Sequence, residues 1–135
     1  NGWCTHRRFQ KRESAENICV FGCGGRAEDS IEHYCRCPVT IRVLKELLRI
    51  TVPPRRALAF WCLDFNSNDE VMCKCSALSS YAAYTAFNVY RTKGIIANSE
   101  RAADAMKQAI HQAAMGKNGL GKFLDCRWQS PLREY

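Results

Sequence analysis

Apolar residues recur at intervals of three and four through most of the chain after residue 37, a spacing typical of helices with one buried face. Prolines, glycines and short polar runs interrupt this pattern, and helices are expected to end at those places. The last segment has no clear period and is expected to form a short helix or to lie across the others. The pattern predicts four helices and then a tail, over residues 38–50, 55–64, 70–91, 99–115 and 119–135.

The third predicted helix, residues 70–91, is apolar nearly all round, which is typical of the central helix of a bundle. Arg91, Lys93 and Gly94 provide the expected last-turn cations and C-cap glycine. Ser99 is the expected N-cap of the last helix. Apolar and polar residues do not alternate over any length suited to a strand, so we expect a mainly α fold.

Before the helices, the chain carries a cysteine and histidine pattern that is typical of a structural zinc site. Two thiolates close together in sequence, followed by a His/Cys pair, can close a tetrahedron around Zn2+. The order is C-x3-C, nine residues, then H-x3-C, and the predicted ligands are Cys19, Cys23, His33 and Cys37.

The residues between these ligands fit the same interpretation. Glycines on either side of the second cysteine permit a tight turn, in which backbone N–H groups can face thiolate sulfur. Asp29 or Ser30 can cap a short helix that presents the His/Cys pair on one face. Cys35 is an alternative fourth ligand, although its position two residues after the histidine is tighter than usual and favours Cys37. Buried thiols or disulfide partners are the other explanation of these cysteines.

Cysteine usage points to a reducing compartment. The chain has nine cysteines, an odd number, and no secretory signal at its start, so free and metal-bound thiols fit better than a disulfide scaffold. We expect the nucleus or the cytoplasm, with an organelle as an open alternative. Cys73 and Cys75, two apart on a predicted helix, point in nearly opposite directions and cannot share a metal. The cysteines expected to be small buried hydrophobes are Cys62, Cys73, Cys75 and Cys126.

The charge is positive and concentrated around the zinc pattern. The formal net charge is +7, and residues 1–56 hold eleven Lys or Arg against six Asp or Glu. A metal-stapled module with basic flanks is suited to bind a phosphate backbone, while an ordinary solvated surface is the alternative. Of Phe21 and Tyr34, one is expected in the core and the other as a stacking platform for an unpaired base. The predicted nucleic-acid-binding residues are Arg7, Arg8, Lys11, Arg12, Phe21, Tyr34, Arg36, Arg42, Lys45 and Arg49.

Patterns typical of membrane proteins and enzymes are missing from the sequence. The longest uncharged stretch, which ends at Tyr90, is too short and too polar to span a bilayer. The sequence has no deaminase, P-loop or nucleophile-elbow motif, and four protein ligands would close the metal site. We expect a non-enzyme in two parts: a basic arm with a small CCHC zinc module over residues 1–40, and a bundle of about four helices with a tail over 41–135. On this division, removal of zinc should unfold residues 15–40 and spare 70–115.

Four short runs near the start resemble a known family. They are NGWCT at residues 1–5, RRF at 7–9, CVFGC at 19–23 and DSIEHYCRCP at 29–38. Together they resemble the zinc-binding region downstream of the polymerase in LINE-type (non-LTR) retroelement reverse transcriptases, of the kind found in unicellular algae. The family pattern has a Cys pair, an acidic residue before a His, and a closing Cys-Pro. The chain departs from it in having three residues, not four, between His and the last Cys, and in the extra Cys35.

The resemblance covers residues 1–40 and is loose beyond them. It implies a zinc-dependent accessory region that grips single-stranded RNA or target DNA for catalytic domains, whose own polymerase and endonuclease motifs are absent here. A different class of function is a domesticated structural subunit that docks its helical half on a larger protein assembly. Exposed aromatic and Met side chains would favour docking, and a salt-dependent affinity for single-stranded nucleic acid would favour the first function.

Overall fold

The protein is described by a computed structural model covering residues 18–24, 27–64, 69–115 and 120–135. Six α-helices lie in these ranges and confirm the mainly α fold. They are α1 (Ile31–Arg36), α2 (Pro38–Val43), α3 (Ala57–Trp61), α4 (Glu70–Lys93), α5 (Ser99–Ala114) and α6 (Leu120–Gln129). A π-helical turn (Leu44–Leu48), a 3-10 turn (Pro54–Arg56) and two short strands, β1 (Ile50–Thr51) and β2 (Arg133–Glu134), complete the described elements.

The ends of the two longest helices follow from their capping residues. The Asp69 carboxylate accepts a hydrogen bond from the Met72 N–H at 3.1 Å and begins α4, and Gly94 in the left-handed conformation ends it, as predicted. Helix α5 is capped by Asn98, whose Oδ1 accepts from the Arg101 N–H at 2.8 Å. The expected cap, Ser99, is instead the first helical residue, so this prediction was wrong by one position.

The helix predicted over residues 38–50 is shorter and less regular than its apolar spacing suggested. Pro38 begins α2 at its first position, where a missing N–H is not needed. The chain then widens into the π-helical turn and stops at Arg49, which has a positive φ of 56°. The predicted helix over 55–64 is likewise reduced to α3 and the 3-10 turn before it, and Leu63 ends the turn after α3 with φ of 58°.

A strand pair that the sequence did not predict joins the middle of the chain to its end. β1 and β2 run parallel, with Ile50 opposite Arg133 and Thr51 opposite Glu134. Two-residue strands carry no detectable alternation of apolar and polar positions, so only long-range pairing shows them. The predicted tail therefore forms α6 and then returns to the residues that follow the π-helical turn.

The hydrophobic core does not divide at residue 40. Helix α4 packs mainly along α5, and α2 also packs against α5. The rings of Phe21 and Tyr34 lie 4.9 Å apart, and Tyr34 lies 5.3 Å from Phe87 of α4, in each case edge to face. Buried residues from the loop of residues 18–24, from α1 and from the long helices thus belong to one continuous cluster.

The cysteines outside the predicted zinc pattern do not share one environment. Cys75 is fully buried in α4, and Cys73 is half-buried. Cys62, at the end of α3, and Cys126, on α6, are exposed, so the prediction of burial was wrong for these two. Cys62 follows the last residue of α3 as its C-cap, and Cys126 lies on the solvent-facing side of α6. Among the described residues, no helix combines the length and the hydrophobicity needed to cross a bilayer.

Candidate metal centre

Two of the predicted ligands lie on a tight loop held closed by backbone hydrogen bonds. Ile18 and Glu28 form an antiparallel bridge, and the Cys19 N–H donates to the Ala27 carbonyl at 2.8 Å. Within the loop, the Gly22 N–H donates to the Cys19 carbonyl at 3.3 Å. Gly22 has a φ of 59°, a conformation that favours glycine, and the turn brings Cys23 back beside Cys19.

The other two predicted ligands come from α1 and the residue that ends it. Ser30 caps this helix, because its Oγ accepts a hydrogen bond from the His33 N–H at 3.2 Å. His33 lies in the first turn of α1, and Cys37 is both the C-cap of α1 and the N-cap of α2. The expected presentation of both side chains toward one place is therefore confirmed.

The four side chains form one compact cluster, which we call the Cys3His cluster (Cys19, Cys23, His33 and Cys37). All of its ligand atoms lie within 4.8 Å of one another. The Sγ atoms of Cys19 and Cys37 are 3.9 Å apart, and Cys23 Sγ is 3.5 Å from His33 Nε2. A tetrahedral zinc ion with ordinary bond lengths would place S–S at about 3.8 Å and S–N at about 3.6 Å. The cluster can therefore hold a metal ion.

The geometry argues against two alternatives, Cys35 as the fourth ligand and a disulfide between the clustered thiols. Cys35 is buried and its Sγ donates to the Glu32 carbonyl at 3.2 Å, so it lies outside the cluster and Cys37 is the fourth member. A disulfide between Cys19 and Cys37 would need an S–S distance of about 2.05 Å, far shorter than the one observed.

The pKa values of Cys19 and Cys35 are raised by burial and, for Cys19, by a neighbouring thiol. A hydrogen bond with the Cys37 thiol, together with burial, raises the pKa of Cys19 well above its ordinary value. Burial raises the pKa of Cys35 to about 11. A metal entering the cluster must therefore displace at least the Cys19 proton, which couples metal affinity to pH.

A buried hydrogen-bond network next to the cluster joins the loop of residues 18–24 to α1 through Val20, Tyr34 and Asp29. The Val20 N–H donates to the Tyr34 hydroxyl at 3.2 Å, and this hydroxyl donates to Asp29 Oδ1 at 2.7 Å. Arg91, at the end of α4, lies 3.6 Å from the other Asp29 oxygen. Sequence reasoning treated Asp29 only as a possible helix cap, because its partner Arg91 is distant along the chain and no spacing rule connects them.

The loop of residues 18–24, which carries Cys19 and Cys23 and which we call the metal loop, is also attached to the connection between α4 and α5. The Ala97 N–H donates to the Val20 carbonyl at 2.8 Å. Gly22 approaches the same connection so closely that a Cβ atom there would lie 2.0 Å from the Ala97 carbonyl oxygen. Close backbone approach thus explains why glycine occupies this position, beyond the requirement of the turn.

Four of the predicted basic residues line one groove beside the cluster, which we call the basic groove. It has a volume of about 560 Å³ and begins at Arg36 and Pro38, the neighbours of Cys37 on either side. Arg36 and Lys45 are exposed, and neither makes an ion pair within the described ranges. The groove is lined by Arg36, Pro38, Ile41, Arg42, Lys45, Glu46, Arg49 and Pro54.

Two carboxylates that sequence reasoning missed lie among these cations. Glu46 Oε1 is 3.2 Å from Arg42 Nε, and the two are four residues apart on one helical face, a spacing that could have revealed them. Glu100, at the start of α5, accepts from both Nη atoms of Arg42 at 2.6 Å. No sequence signal connects Glu100 to the groove, because only the packing of α2 on α5 brings it there.

The remaining predicted nucleic-acid contacts have different outcomes. Phe21 and Tyr34 are both 0 % exposed, so the prediction that one of them stacks on an unpaired base was wrong. Their rings fill the space between the metal loop and α4, and no ring face is open to a base. The N-terminal basic residues lie outside the described residues. They are Arg7, Arg8, Lys11 and Arg12.

Comparisons with protein-family models, with curated proteins and with solved structures gave no match for this chain. Fold and site together define its class as a mainly α protein in which a Cys3His cluster able to hold a metal precedes a helical bundle.

Proposed function

We propose that this chain is a non-catalytic, zinc-dependent nucleic-acid-binding accessory region of the LINE retroelement type, gripping single-stranded RNA or target DNA. The observation that carries the proposal is the basic groove, which starts at the residues flanking Cys37 of the Cys3His cluster. The resemblance over residues 1–40 supplies the retroelement type.

Zinc is the metal that suits this donor set best. Three thiolates and an imidazole are soft ligands, and their spacing matches the edges of a zinc tetrahedron. Four protein ligands leave no position open for water or substrate, which is typical of structural sites. The metal would hold the loop of residues 18–24 against α1, and so would order the start of the basic groove.

Phosphate binding follows from the charges along the groove. Four cations, Arg36, Arg42, Lys45 and Arg49, stand against two carboxylates, that of Glu46 in its lining and that of Glu100, which binds Arg42. Proline and isoleucine side chains form the rest of its wall, so a strand would meet cations at its backbone and apolar surface at its sugars or bases.

Binding of labelled single-stranded oligonucleotides to the zinc-loaded chain tests this proposal. Affinity measured by fluorescence anisotropy should fall as salt rises from about 50 to about 200 mM. The three groove cations other than Arg42, which is paired with Glu100, would give a slope of about −2 on a double logarithmic plot. Lys45→Gln should weaken binding and flatten the slope, because it removes one groove cation. Lys122→Gln, which removes an exposed cation from α6, is the matched control. Affinity that is absent, or unchanged by salt and by Lys45→Gln, would contradict nucleic-acid binding.

Docking on a larger protein assembly is the second candidate, and one observation favours it. Trp128 is 64 % exposed and Met115 is 78 % exposed, and both line an apolar cavity of about 340 Å³ between α5 and α6. Exposed aromatic side chains of this kind are enriched at protein interfaces. Under this alternative, binding to a protein partner would depend on Trp128 and vary little with salt.

A further inference from the structure

One cation of the basic groove is already occupied in the way that a phosphate would occupy it. The two Nη atoms of Arg42 donate to the two carboxylate oxygens of Glu100, each at 2.6 Å. This parallel arrangement is the same one with which a guanidinium binds two oxygens of a phosphate. Its remaining nitrogen, Nε, lies 3.2 Å from Glu46 Oε1, within ion-pair distance but without the geometry of a hydrogen bond, so the bidentate contact with Glu100 is what occupies Arg42.

The other cations of the groove differ from Arg42 in this respect. Arg36 and Lys45 have no carboxylate partner within the described ranges, and Arg49 donates its Nε to the Ser130 carbonyl at 3.3 Å. Among the four groove cations, only Arg42 is therefore paired with carboxylates of the described residues. Arg36 precedes it and Lys45 and Arg49 follow it along the chain without such a partner.

The carboxylates over Arg42 can be displaced because they are exposed. The side chain of Glu100 is 69 % accessible and that of Glu46 is 44 % accessible. Glu46 has a second partner, Lys107, at 2.7 Å, which would keep it neutralised if it left Arg42. Glu100 has Arg42 as its ion-pair partner among the described residues, so Glu100 would be released into solvent. Exposed ion pairs of this type exchange with water at small cost.

We propose that Glu100 is an internal competitor for phosphate, which holds Arg42 in the position that a backbone phosphate of a bound strand takes over. This inference rests on the proposed function, since it concerns the same groove. Strand binding exchanges one carboxylate for one phosphodiester at Arg42, while Arg36, Lys45 and Arg49 bind without competition from a carboxylate of the described residues. The groove is thus weakened at its centre, and a strand held there is released more readily than four open cations would allow.

The exchange has a consequence for salt dependence. An open Arg42 neutralises one phosphate and releases one condensed counterion, which contributes about −0.7 to the slope on a single strand. In the native chain the Arg42–Glu100 pair is neutral overall, and displacement of Glu100 returns a negative charge beside the strand. The native slope should therefore lack the contribution of one cation.

Glu100→Gln tests the proposal, because it removes the competing charge and keeps the size of the side chain. We expect single-stranded oligonucleotides to bind about fivefold more tightly at low salt, the scale of an exposed ion pair. The slope should become steeper by about 0.7. Parallel titrations with RNA and DNA of the same sequence tell which phosphodiester strand the groove prefers.

Glu70→Gln is the matched control. Glu70 forms an exposed ion pair with Lys74 on α4, so this variant changes the total charge by the same amount without touching the groove. A further comparison is Glu100→Gln combined with Arg42→Gln, in which the gain in affinity should be lost because its cation is gone. Circular dichroism and bound zinc, measured for each variant, verify that the compared chains are folded.

The outcomes distinguish failure of the competitor role from failure of the proposed function. If the native chain binds oligonucleotides and Glu100→Gln behaves like Glu70→Gln, the competitor role is overturned while the proposed function stands. If no variant binds an oligonucleotide, the proposed function falls and the competitor role falls with it. If Glu100→Gln tightens binding of poly-glutamate as much as binding of oligonucleotide, the groove serves an acidic protein surface and the assignment to phosphate is overturned.

Discussion

At the scale of single residues, the Cys3His cluster depends on which thiol points where and on how closely the loop can approach its neighbours. Cys35 and Cys37 are two residues apart, yet one donates to a carbonyl within α1 and the other faces Cys19. Position along a helix decides this, because side chains two residues apart on a helix point in nearly opposite directions, about 160° apart. The spacing argument that favoured Cys37 therefore has a direct structural reason.

Replacing each of these two cysteines separately by serine tests which of them binds the metal. Cys37→Ser should lower bound metal well below one equivalent, because one of the four ligands of the cluster is lost. Cys35→Ser should keep a full equivalent, since a hydroxyl can still donate to the Glu32 carbonyl. Elemental analysis of the purified variants measures both. Equal metal loss in the two variants would show that Cys35 takes part in ligation.

Substitution of two glycines of the metal loop distinguishes the cost of backbone strain from the cost of a steric clash. Gly24 has a φ of 87° with nothing within 4 Å of an added Cβ, so Gly24→Ala should cost about 1–2 kcal/mol through conformation alone. Gly22→Ala places its Cβ 2.0 Å from the Ala97 carbonyl oxygen and should cost about 1–3 kcal/mol more. Chemical denaturation of both zinc-loaded variants gives the two free energies of unfolding. Equal costs would argue against close packing of the loop on the α4–α5 connection.

At the scale of elements, the end of the π-helical turn that follows α2 is capped by a side chain from a helix far along the chain. Arg127 of α6 donates from Nε to the Leu48 carbonyl and from Nη2 to the Arg49 carbonyl, both at 3.0 Å. These carbonyls are free to accept because the helix stops at Arg49. The same residues lead directly into β1, so α6 both caps the π-helical turn and positions the strand pair.

Loss of this cap should destabilise the fold measurably. Arg127→Ala removes two charge-assisted hydrogen bonds at a buried site and should cost about 1.5–3 kcal/mol of unfolding free energy. Lys122→Ala, at an exposed position on the same helix, should change it by less than about 0.5 kcal/mol. Urea denaturation followed by circular dichroism compares the two. Similar small effects would mean that α6 contributes little to the end of the π-helical turn.

At the scale of the whole molecule, the metal loop and the helices share one core. Tyr34 packs on Phe87, Asp29 lies within ion-pair distance of Arg91, and Val20 accepts a hydrogen bond from Ala97. These contacts change the expectation that metal removal affects residues 15–40 alone. Loss of the loop would leave the C-terminal end of α4 and the start of α5 without part of their packing.

Chelation of the metal tests this coupling. We expect hydrogen exchange to accelerate in residues 18–37 and also in residues 87–97, because the second segment packs against the first. The middle of α4 and the remainder of α5 should keep more of their protection. Mass spectrometry of the exchanged, digested chain locates the change. Faster exchange limited to residues 18–37 would restore the separable module predicted from the sequence.

Local patterns in the sequence were sufficient for the ligand set, for the two longest helices and for most of their end residues, although the cap of α5 was misplaced by one residue and the helices predicted over 38–50 and 55–64 are shorter than expected. Asp69 and Gly94 delimit α4, and Ser30 caps α1, because capping depends on a few neighbouring atoms. The spacing of Cys19, Cys23, His33 and Cys37 identified the cluster because ligands on one loop and one short helix need little help from the rest of the fold.

Only the tertiary structure decided which of the predicted residues are available to a partner. Phe21 and Tyr34 are buried because α4 covers them, and Glu100 lies over Arg42 because α5 packs on α2. Cys126, which was expected to be buried, is exposed, and Arg127 beside it is buried, because a tail without a period does not show which face packs inward. Burial and pairing across long sequence separations depend on how elements pack, and no local spacing rule contains that information.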